Sequence, residues 1–437
     1  MVTRPRSSAD LLIVNASELV TLAGPARPRR GREMEELGII KDGALAIRGG
    51  RVVAAGPTSE VRAGFCQRRG RPLDASGKTV IPGLVDPHTH PVFAGSREGE
   101  LIMKLEGRSY LDILKAGGGI MSTVRATRAA TEGELLDALL QRLDRALLHG
   151  TTTIEAKSGY GLDVPTELRL LRVLRAAGRR HPITIVPTFM GAHALPPEFS
   201  GRPNEYIDHL IREALPEIAK HRLAEYCDVF CEEGMFTVEQ SRRLLLAAKR
   251  LGLWPRIHAD ELARTGGAEL AAELGAASAD HLLRSSQEGL KEMAEAGVVG
   301  VLLPATVLSL MSREYPDARG MVSLGIPLAL ATDLNPNCMT ESMPFVIALS
   351  CYCMRMKPSE ALTASTINAA YAIGRGAELG SLEPGKRADA VILDAPNYIH
   401  IAYHFGVNIV DTVLKGGRVV IRGGRPVWKR RSRGPQG

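Results

Sequence analysis

The sequence predicts an α/β protein in which a (β/α)8 barrel of the TIM type carries a small β-sandwich domain built from both ends of the chain. Two observations predict this fold. The middle of the chain has eight short apolar runs, most of them separated by helical patterns, and this alternation favours a parallel sheet closed into a barrel. The two ends share apolar runs that are broken by glycine-rich turns.

Each apolar run of the middle segment ends in polar or potentially catalytic residue types. In chain order the runs are VIPGLVDPHTH, TTTIEAKSG, ITIVPTFMGAH, YCDVFCEEG, WPRIHADE, ASADHLL, VVGVLLPAT and PLALATDLNP. Between them, the pattern at 131–150 predicts a helix that begins after a threonine cap, and the pattern at 237–252 predicts one that ends at a glycine. A doubly wound sheet is the competing architecture, but no GxGxxG motif follows the first run.

The two ends of the chain are predicted to pair with each other. GALAIRGGRVVAAGP at 43–57 and VLKGGRVVIRGGRPV at 413–427 share one pattern, and RADAVILDAP at 387–396 is predicted to lie beside the second of them. We therefore predict three parts. Residues 1–80 form the N-terminal part of the small domain, 81–381 form the barrel, and 382–437 form the C-terminal part of the small domain with a basic tail.

Length and composition exclude several classes of protein. The 437 residues, of which 45% are hydrophobic and 24% charged, are typical of a globular protein large enough for a barrel. The longest mainly apolar stretch, around Val298–Met311, is shorter than a membrane-spanning helix, and the N-terminus lacks a convincing signal-peptide cleavage site. The six cysteines form no CxxC pair. We expect a cytoplasmic protein with reduced thiols and no membrane partner.

The net charge of +7 lies in large part in two basic runs, at 26–32 and in the tail at 429–437. No nucleic-acid-binding motif accompanies them, so we expect solvated segments and no nucleic-acid partner. A mild positive field favours an anionic small-molecule substrate.

Histidines and carboxylates gather at the predicted strand ends. In a barrel the carboxyl ends of the strands converge on one mouth, so these distant residues are expected to share a site. His88 and His90 alternate in an extended segment, which points both imidazoles to one side. The fifth run supplies His258 and the eighth supplies Asp333. Three imidazoles and one carboxylate predict one divalent metal ion, zinc or iron, with a position left open for water.

A metal ion of this kind makes hydroxide available near neutral pH, which predicts a hydrolase. Asp333 is expected to accept a proton from the water, and His281, at the end of the sixth run, to orient or deprotonate the nucleophile. Glu261 is expected to hydrogen-bond a substrate N–H or to carry a proton to the leaving nitrogen. The residues alone leave the division of proton transfer among these three side chains open.

Longer motifs connect these strand ends to a known family. PGLVDPHTH, followed by IHADE, ADH and ATD, resembles the amidohydrolase superfamily, and the resemblance covers nearly the whole chain, including the split β domain. Seven motifs in order resemble one branch of it: HTHPVFAGSRE, EAKSGYG, TFMGAHA, CDVFCEEGMF, IHADE, SADHL and ATDLNPN. The resemblance implies hydrolysis of a ring C–N bond in an anionic cyclic amide, an imidazolone that carries a propanoate chain. It also implies a homodimer.

The resemblance implies roles for the residues at matching positions. The metal ligands are His88, His90, His258 and Asp333, the catalytic histidine is His281, and the substrate contacts are Arg97, Tyr160, His193 and Glu261, with Asn335, Asn337 and Cys338 in the loop after the eighth run. Arg97 suits a propanoate because a guanidinium donates two parallel hydrogen bonds to a carboxylate. Many members have glycine and then serine or threonine in place of Asn337 and Cys338. Asparagine tolerates positive φ, whereas cysteine lacks a strong hydroxyl donor.

Three alternatives stand beside this reading. Lys157 raises the alternative of two metals bridged by a carboxylated lysine, as in some amidohydrolases, but it lies in the second run rather than the fourth, and we predict a single metal. In the expected reaction, metal hydroxide attacks the ring carbonyl, and the metal with His193 or His281 stabilises the oxyanion. The rival functions are an aminohydrolase of purines or related heterocycles and a metal-free scaffold.

Overall fold

The computed structural model of the chain describes residues 6–108, 112 and 116–428. The strands before the barrel are β1 (Ser7–Ala9), β2 (Leu11–Val20), β3 (Ile39–Arg48), β4 (Arg51–Pro57), β5 (Phe65–Gln67), β6 (Leu73–Asp74) and β7 (Thr79–Pro82). The barrel strands are β8 (Leu84–Asp86), β9 (Thr151–Lys157), β10 (Thr184–Ala192), β11 (Tyr226–Cys231), β12 (Trp254–Ala259), β13 (Ser278–His281), β14 (Val299–Leu302) and β15 (Leu328–Leu330). The strands after the barrel are β16 (Ala390–Leu393), β17 (Val410–Lys415), β18 (Arg418–Arg422) and β19 (Arg425–Pro426).

Strands β8 to β15 form one eight-stranded parallel sheet in sequence order, which confirms the predicted (β/α)8 barrel. Each strand lies within one of the eight predicted runs. The first run forms two strands. Its first part, β7, belongs to another sheet, and only its second part, β8, belongs to the barrel. Gly83 separates the two strands, and a Cβ atom there would lie 2.4–3.0 Å from side-chain atoms of Thr152. We propose Gly83 as the boundary between the small domain and the barrel.

Backbone hydrogen bonds at the mouth join the two ends of this sheet. The Asp333 N–H donates to the His88 carbonyl at 3.2 Å, and the His90 N–H donates to the Leu334 carbonyl at 2.9 Å. These bonds extend the first strand beside the segment that follows the last one. They therefore place His88 and His90, called the HxH pair below, next to the predicted carboxylate ligand Asp333.

Helices cover the outside of the barrel and connect its strands. The two predicted helices form at Glu132–Leu148 and Val238–Arg250, and each begins with a capping box, in which Thr131 pairs with Glu134 and Thr237 with Gln240. The other α-helices are Thr58–Gly64, Glu98–Leu105, Ile120–Ala129, Val164–Arg180, Pro203–His209, Leu215–His221, Gly267–Leu274, Gln287–Ala296, Pro304–Ser309, Ala318–Ser323, Met343–Met354, Pro358–Ala364, Ile367–Ala372 and His400–Tyr403. Shorter helical turns lie at Gly31–Glu35, Pro197–Phe199 and Leu210–Ala214.

The two ends of the chain meet in a second sheet, as predicted. Its order is β19-β18-β17-β16-β7-β2-β3-β4, with β6 paired to β2. The antiparallel pairing of β7 with β16, in which Val80 faces Ile392, joins the N-terminal and C-terminal halves. Residues of both halves, including Ile13, Leu45 and Leu414, form one buried apolar cluster. The small domain therefore depends on both ends of the chain for its core.

Two features of the surface bear on the expectations from composition. Within the described ranges, no helix has the length and apolarity needed to cross a membrane. The basic run at 26–32 is not wholly solvated, since Arg29 is buried and its backbone N–H donates to the Asn368 side chain at 2.7 Å. The expectation of a solvated segment is therefore wrong for Arg29, whose guanidinium also bonds carbonyls of its own loop. The basic tail at 429–437 lies outside the described residues.

Candidate metal centre and active site

The four predicted metal ligands come together at the mouth of the barrel. The Nε2 atoms of His90 and His258 are 3.2 Å apart. Asp333 Oδ1 lies 3.5 Å from Nε2 of His88 and 3.5 Å from Nε2 of His90. All four side chains are buried. The strand-end pattern thus corresponds to one compact cluster of nitrogen and oxygen donors.

The donor atoms of this cluster fit a single divalent metal ion. His88 Nε2 and Asp333 Oδ1 are buried without a hydrogen-bond partner among the described residues, a costly arrangement in an otherwise satisfied interior. Ligands about 2.0–2.2 Å from a tetrahedral zinc lie roughly 3.3–3.6 Å from one another. The distances of 3.2–3.5 Å in the cluster agree with that spacing. A set of three imidazoles and one carboxylate suits zinc and iron alike.

His281 also faces this cluster. Its ring centroid lies 5.3 Å from that of His258, and neither ring nitrogen has a hydrogen-bond partner among the described residues. His281 Nε2 is 3.6 Å from Glu261 Oε2, and donor atoms of His88, His258 and His281 lie close enough together to share an ion. The geometry therefore admits His281 as a base or as a ligand. Its φ of 76° is a strained backbone conformation of the kind that gathers at functional sites.

Burial raises the pKa values of the two acids that face the cluster. Glu261 has its pKa raised to about 8, first by burial and then by the nearby carboxylates of Asp333 and Glu232. Burial raises the pKa of Asp333 to about 6. Before a metal binds, Glu261 therefore carries a proton at neutral pH and Asp333 is largely ionised, which separates them into a proton donor and a proton acceptor.

Buried carboxylates contact the Nδ1 atoms of two of the imidazoles, on the side away from the other donors. His88 Nδ1 lies 2.6 Å from Asp280 Oδ2, and His258 Nδ1 lies 3.1 Å from Asp228 Oδ1. A carboxylate at Nδ1 fixes the proton on that nitrogen and leaves the Nε2 lone pair for a metal. Arg256 in turn donates to Asp280 at 3.1 Å.

Lys157 is buried among carboxylates and lies beside this support. Its Nζ is 2.9 Å from Glu155 and 2.9 Å from Asp228. These two ion pairs occupy the amine of Lys157, so the geometry gives no support to a carboxylated bridge between two metals.

His193 and Tyr160 form one wall of the site. The His193 ring stacks on that of His90 with centroids 4.9 Å apart, and the Tyr160 ring lies 5.2 Å from His193. His193 Nδ1 lies 2.9 Å from the Gly159 carbonyl and donates to it. Burial lowers the pKa of His193 to about 3, so the ring is neutral and its Nε2 is an acceptor. This arrangement favours contact with a ring N–H of a substrate over stabilisation of an oxyanion.

Arg97 lies at the N-terminus of the helix Glu98–Leu105 and is already paired. Its Nε and Nη2 donate to the two oxygens of Glu100 at 2.8 and 2.7 Å, and Glu100 also accepts from the Gly119 N–H at 2.7 Å. A guanidinium has a second pair of parallel donors, formed by Nη1 and the other N–H of Nη2. The bonds to Glu100 do not use this second fork. Glu100 therefore holds Arg97 in place and leaves one fork available for a substrate carboxylate.

The loop after the last barrel strand makes contacts within the protein through its side chains, and its substrate contacts stay a prediction. Asn335 donates to the Asp333 carbonyl at 2.8 Å and accepts from the N–H groups of Asn337 and Cys338. Asn337 accepts from Lys104 Nζ at 2.6 Å and does not have the positive φ that the comparison with glycine suggested. Cys338 packs its thiol into the barrel core near the Thr332 carbonyl. The three side chains stabilise the loop that carries Asp333.

The sequence reasoning gave no role to several polar residues that organise the site. Asp228, Asp280 and Arg256 were given no role, although each is a charged residue inside a largely buried barrel strand, which is a usable signal. Glu232 accepts the N–H groups of Glu261, Leu262 and Ala263 and so fixes the loop that carries Glu261. Thr306 donates to Asp333 Oδ2 at 2.5 Å. The contacts of Glu232 and Thr306 join different loops, and no local sequence pattern predicts them.

Comparisons with known proteins agree with this barrel and its site. A model of the amidohydrolase family matches residues 79–420. The chain belongs to the amidohydrolase family. The imidazolonepropionase of Shouchella clausii (strain KSM-K16) is 52% identical over 421 residues, 95% of this chain and 94% of that relative. The imidazolonepropionase of Geobacillus kaustophilus (strain HTA426) is 52% identical over 419 residues, 95% of this chain and 99% of that relative.

Solved structures share the fold at lower identity. A zinc-bound adenosine deaminase from Xanthomonas campestris has a TM-score of 0.72 and 20% identity, covering 98% of this chain and 96% of that one. A triazine hydrolase variant has a TM-score of 0.71 and 17% identity, covering 96% of each chain. At such identities the likeness shows the fold alone.

Proposed function

We propose that the chain is an imidazolonepropionase, which hydrolyses the ring C–N bond of 4-imidazolone-5-propanoate to N-formimidoyl-L-glutamate in histidine degradation. The main support is the cluster at the mouth of the barrel. There, Nε2 atoms of the histidines and Asp333 Oδ1 lie 3.2–3.5 Å from one another. The choice of substrate follows relatives named imidazolonepropionase, which are 52% identical over nearly their whole length.

One divalent metal ion, zinc or iron, is held in this proposal by His88, His90, His258 and Asp333. When bound, it lowers the pKa of a water molecule and polarises the ring carbonyl. The orphaned His88 Nε2 and Asp333 Oδ1 support this ligand set. His281 remains outside the set and orients the attacking water, since neither of its ring nitrogens has a hydrogen-bond partner among the described residues.

The other residues bind the substrate and move its protons. The free fork of Arg97 binds the propanoate, and His193 Nε2 accepts a ring N–H. Asp333, whose carboxylate lies at the metal site, accepts the proton of the attacking water. Glu261, whose pKa is raised to about 8 by burial, donates a proton to the ring nitrogen as the C–N bond breaks. The product retains the propanoate, and the ring carbonyl becomes a new carboxylate. The released nitrogen and the ring carbon next to it together form the formimidoyl group on the other nitrogen.

The function is tested by following the ring absorbance of 4-imidazolone-5-propanoate and identifying the product by mass spectrometry. We expect turnover by the metal-loaded wild type and a loss of about 10²–10⁴-fold in kcat for His281→Ala and for Glu261→Ala. His221→Ala and Glu217→Ala, a surface pair 3.4 Å apart, are the matched controls. No turnover by the wild type contradicts the function, and unchanged rates in both site variants contradict the assigned roles.

The substrate class is tested with neutral heterocycles. Adenosine and guanine lack a carboxylate for Arg97, so we expect no ammonia release from either. Release of ammonia at rates comparable to ring opening of the imidazolone would favour a heterocycle aminohydrolase.

We also propose a homodimer that works in the cytoplasm. Exposed apolar side chains near one another, among them Tyr352 and Phe405 with ring centroids 5.2 Å apart, support a surface for a second copy. Free cysteines throughout the described residues support a reducing compartment. Light scattering after size exclusion tests the dimer, for which a monomeric mass is the contrary result, and cell fractionation tests the location.

A further inference from the structure

Lys157 ends strand β9 and is completely buried, yet it takes no direct part in the proposed chemistry. Its Nζ donates to Glu155 Oε1 at 2.9 Å and forms an ion pair with Asp228 Oδ2, also at 2.9 Å, and both carboxylates are fully buried. Burying three charges together is costly and is retained only where the geometry satisfies them. The two carboxylates lead to different parts of the metal centre.

Asp228 connects Lys157 to His258. While Oδ2 forms the ion pair with Lys157, Oδ1 lies 3.1 Å from His258 Nδ1 and accepts from the Val229 N–H at 2.7 Å. The ammonium therefore holds the carboxylate in the rotation that receives the Nδ1 proton. With that proton fixed, the Nε2 lone pair of His258 points toward the other donors.

Glu155 connects Lys157 to the segment that carries the HxH pair. Glu155 Oε2 accepts from the Thr89 N–H at 3.2 Å, and the Thr89 hydroxyl donates to the Glu155 carbonyl at 2.6 Å. The Lys157 N–H also donates to the Thr89 carbonyl at 2.9 Å. Thr89 stands between His88 and His90, so a fixed Thr89 fixes the direction of both imidazoles.

We propose that Lys157 is a positioning residue of the metal centre, because one buried ammonium joins the support of His258 to the support of the HxH segment. This inference rests on the proposed metal ligands. It gives Lys157 a function without a bond to the metal. Removal of the ammonium frees both carboxylates to rotate, and the donors lose the alignment that makes them a good site before the metal arrives.

The test measures zinc affinity in the full-length chain after removal of metal by a chelator. Lys157→Met keeps a long side chain without the ammonium, and we expect its zinc dissociation constant, from competition with a chromophoric chelator, to rise about 10–100-fold. The visible absorption of the Co²⁺-substituted protein should change as well, because the ligands are less well aligned. Lys415→Met is the matched control, since Lys415 is also buried and pairs with Asp389 at 2.7 Å in the sheet of the two chain ends.

We expect Lys415→Met to lower the melting temperature without changing the zinc dissociation constant. Wild-type zinc affinity and cobalt spectrum in Lys157→Met would overturn the inference, as would an equal loss of affinity in Lys415→Met. Where Lys157→Met is not recovered folded, Asp228→Asn replaces the oxygen that faces Lys157, and unchanged affinity in that variant is equally contrary. A wild type that binds no zinc overturns the metal centre itself, which distinguishes that failure from failure of the Lys157 role.

Discussion

Replacing Arg97 with methionine tests how the site recognises an anionic substrate. The guanidinium uses one fork to bond Glu100 and offers the other, and the two side chains are only 11% and 8% exposed. A carboxylate bound in the free fork receives two charge-assisted hydrogen bonds. Each is worth about 1.5–3 kcal/mol, so their loss removes at least about 3 kcal/mol of substrate binding.

That loss corresponds to roughly a hundredfold fall in kcat/KM, since about 1.4 kcal/mol is a factor of ten. Most of the fall should appear in KM, because the propanoate is bound equally in the ground state and the transition state. The assay compares ring opening of 4-imidazolone-5-propanoate with that of 4-imidazolone without the propanoate. We expect Arg97→Met to slow the first reaction far more than the second.

The matched control is Arg202→Met, because Arg202 also pairs with a glutamate three residues later, Glu205 at 2.8 Å, but on the exposed surface. Its kinetics should equal those of the wild type. Melting temperatures separate lost recognition from lost stability, since Arg97→Met also leaves Glu100 without its cation. Equal effects of Arg97→Met on both substrates would refute the assignment of Arg97 to the carboxylate.

Three further substitutions test the surroundings of the metal centre. Asp280→Asn removes the carboxylate 2.6 Å from His88 Nδ1, and we expect zinc affinity about 10–100-fold lower by chelator competition; unchanged affinity would contradict the support of His88. Glu232→Ala releases the loop of Glu261, and we expect kcat about tenfold lower with a smaller change in KM in steady-state assays. Cys338→Ser should leave kcat/KM within about twofold, because the thiol faces the core, and a larger loss would place it in the substrate site.

The position of the metal centre was predictable because barrel topology forces strand ends together. His88 and His90 alternate along an extended segment, and His258 and Asp333 end other strands, so their convergence follows from the fold class alone. The two helices were predictable for a similarly local reason, since one pattern follows the threonine cap Thr131 and the other ends at Gly252.

Contacts that cross between strands or loops were less predictable. Pairing of Asp280 with His88, or of Glu232 with the loop of Glu261, depends on strand register and rotamers that one sequence does not display. The Cys338 thiol faces the core, and its direction depends on the turn that Asn335 organises, which the family motif alone does not display. The buried Arg29 shows the same limit, because composition describes a segment and not its individual side chains.

The most direct test of the proposed hydrolase is a metal titration of the chelator-treated chain. Zinc or Fe²⁺ is added in measured equivalents, and the initial rate of 4-imidazolone-5-propanoate ring opening is recorded at each step. Four ligands around one ion predict negligible activity without metal and a linear rise that ends at one equivalent per chain. Full activity in the metal-free protein, or a rise that ends at two equivalents, would contradict a single metal held by His88, His90, His258 and Asp333.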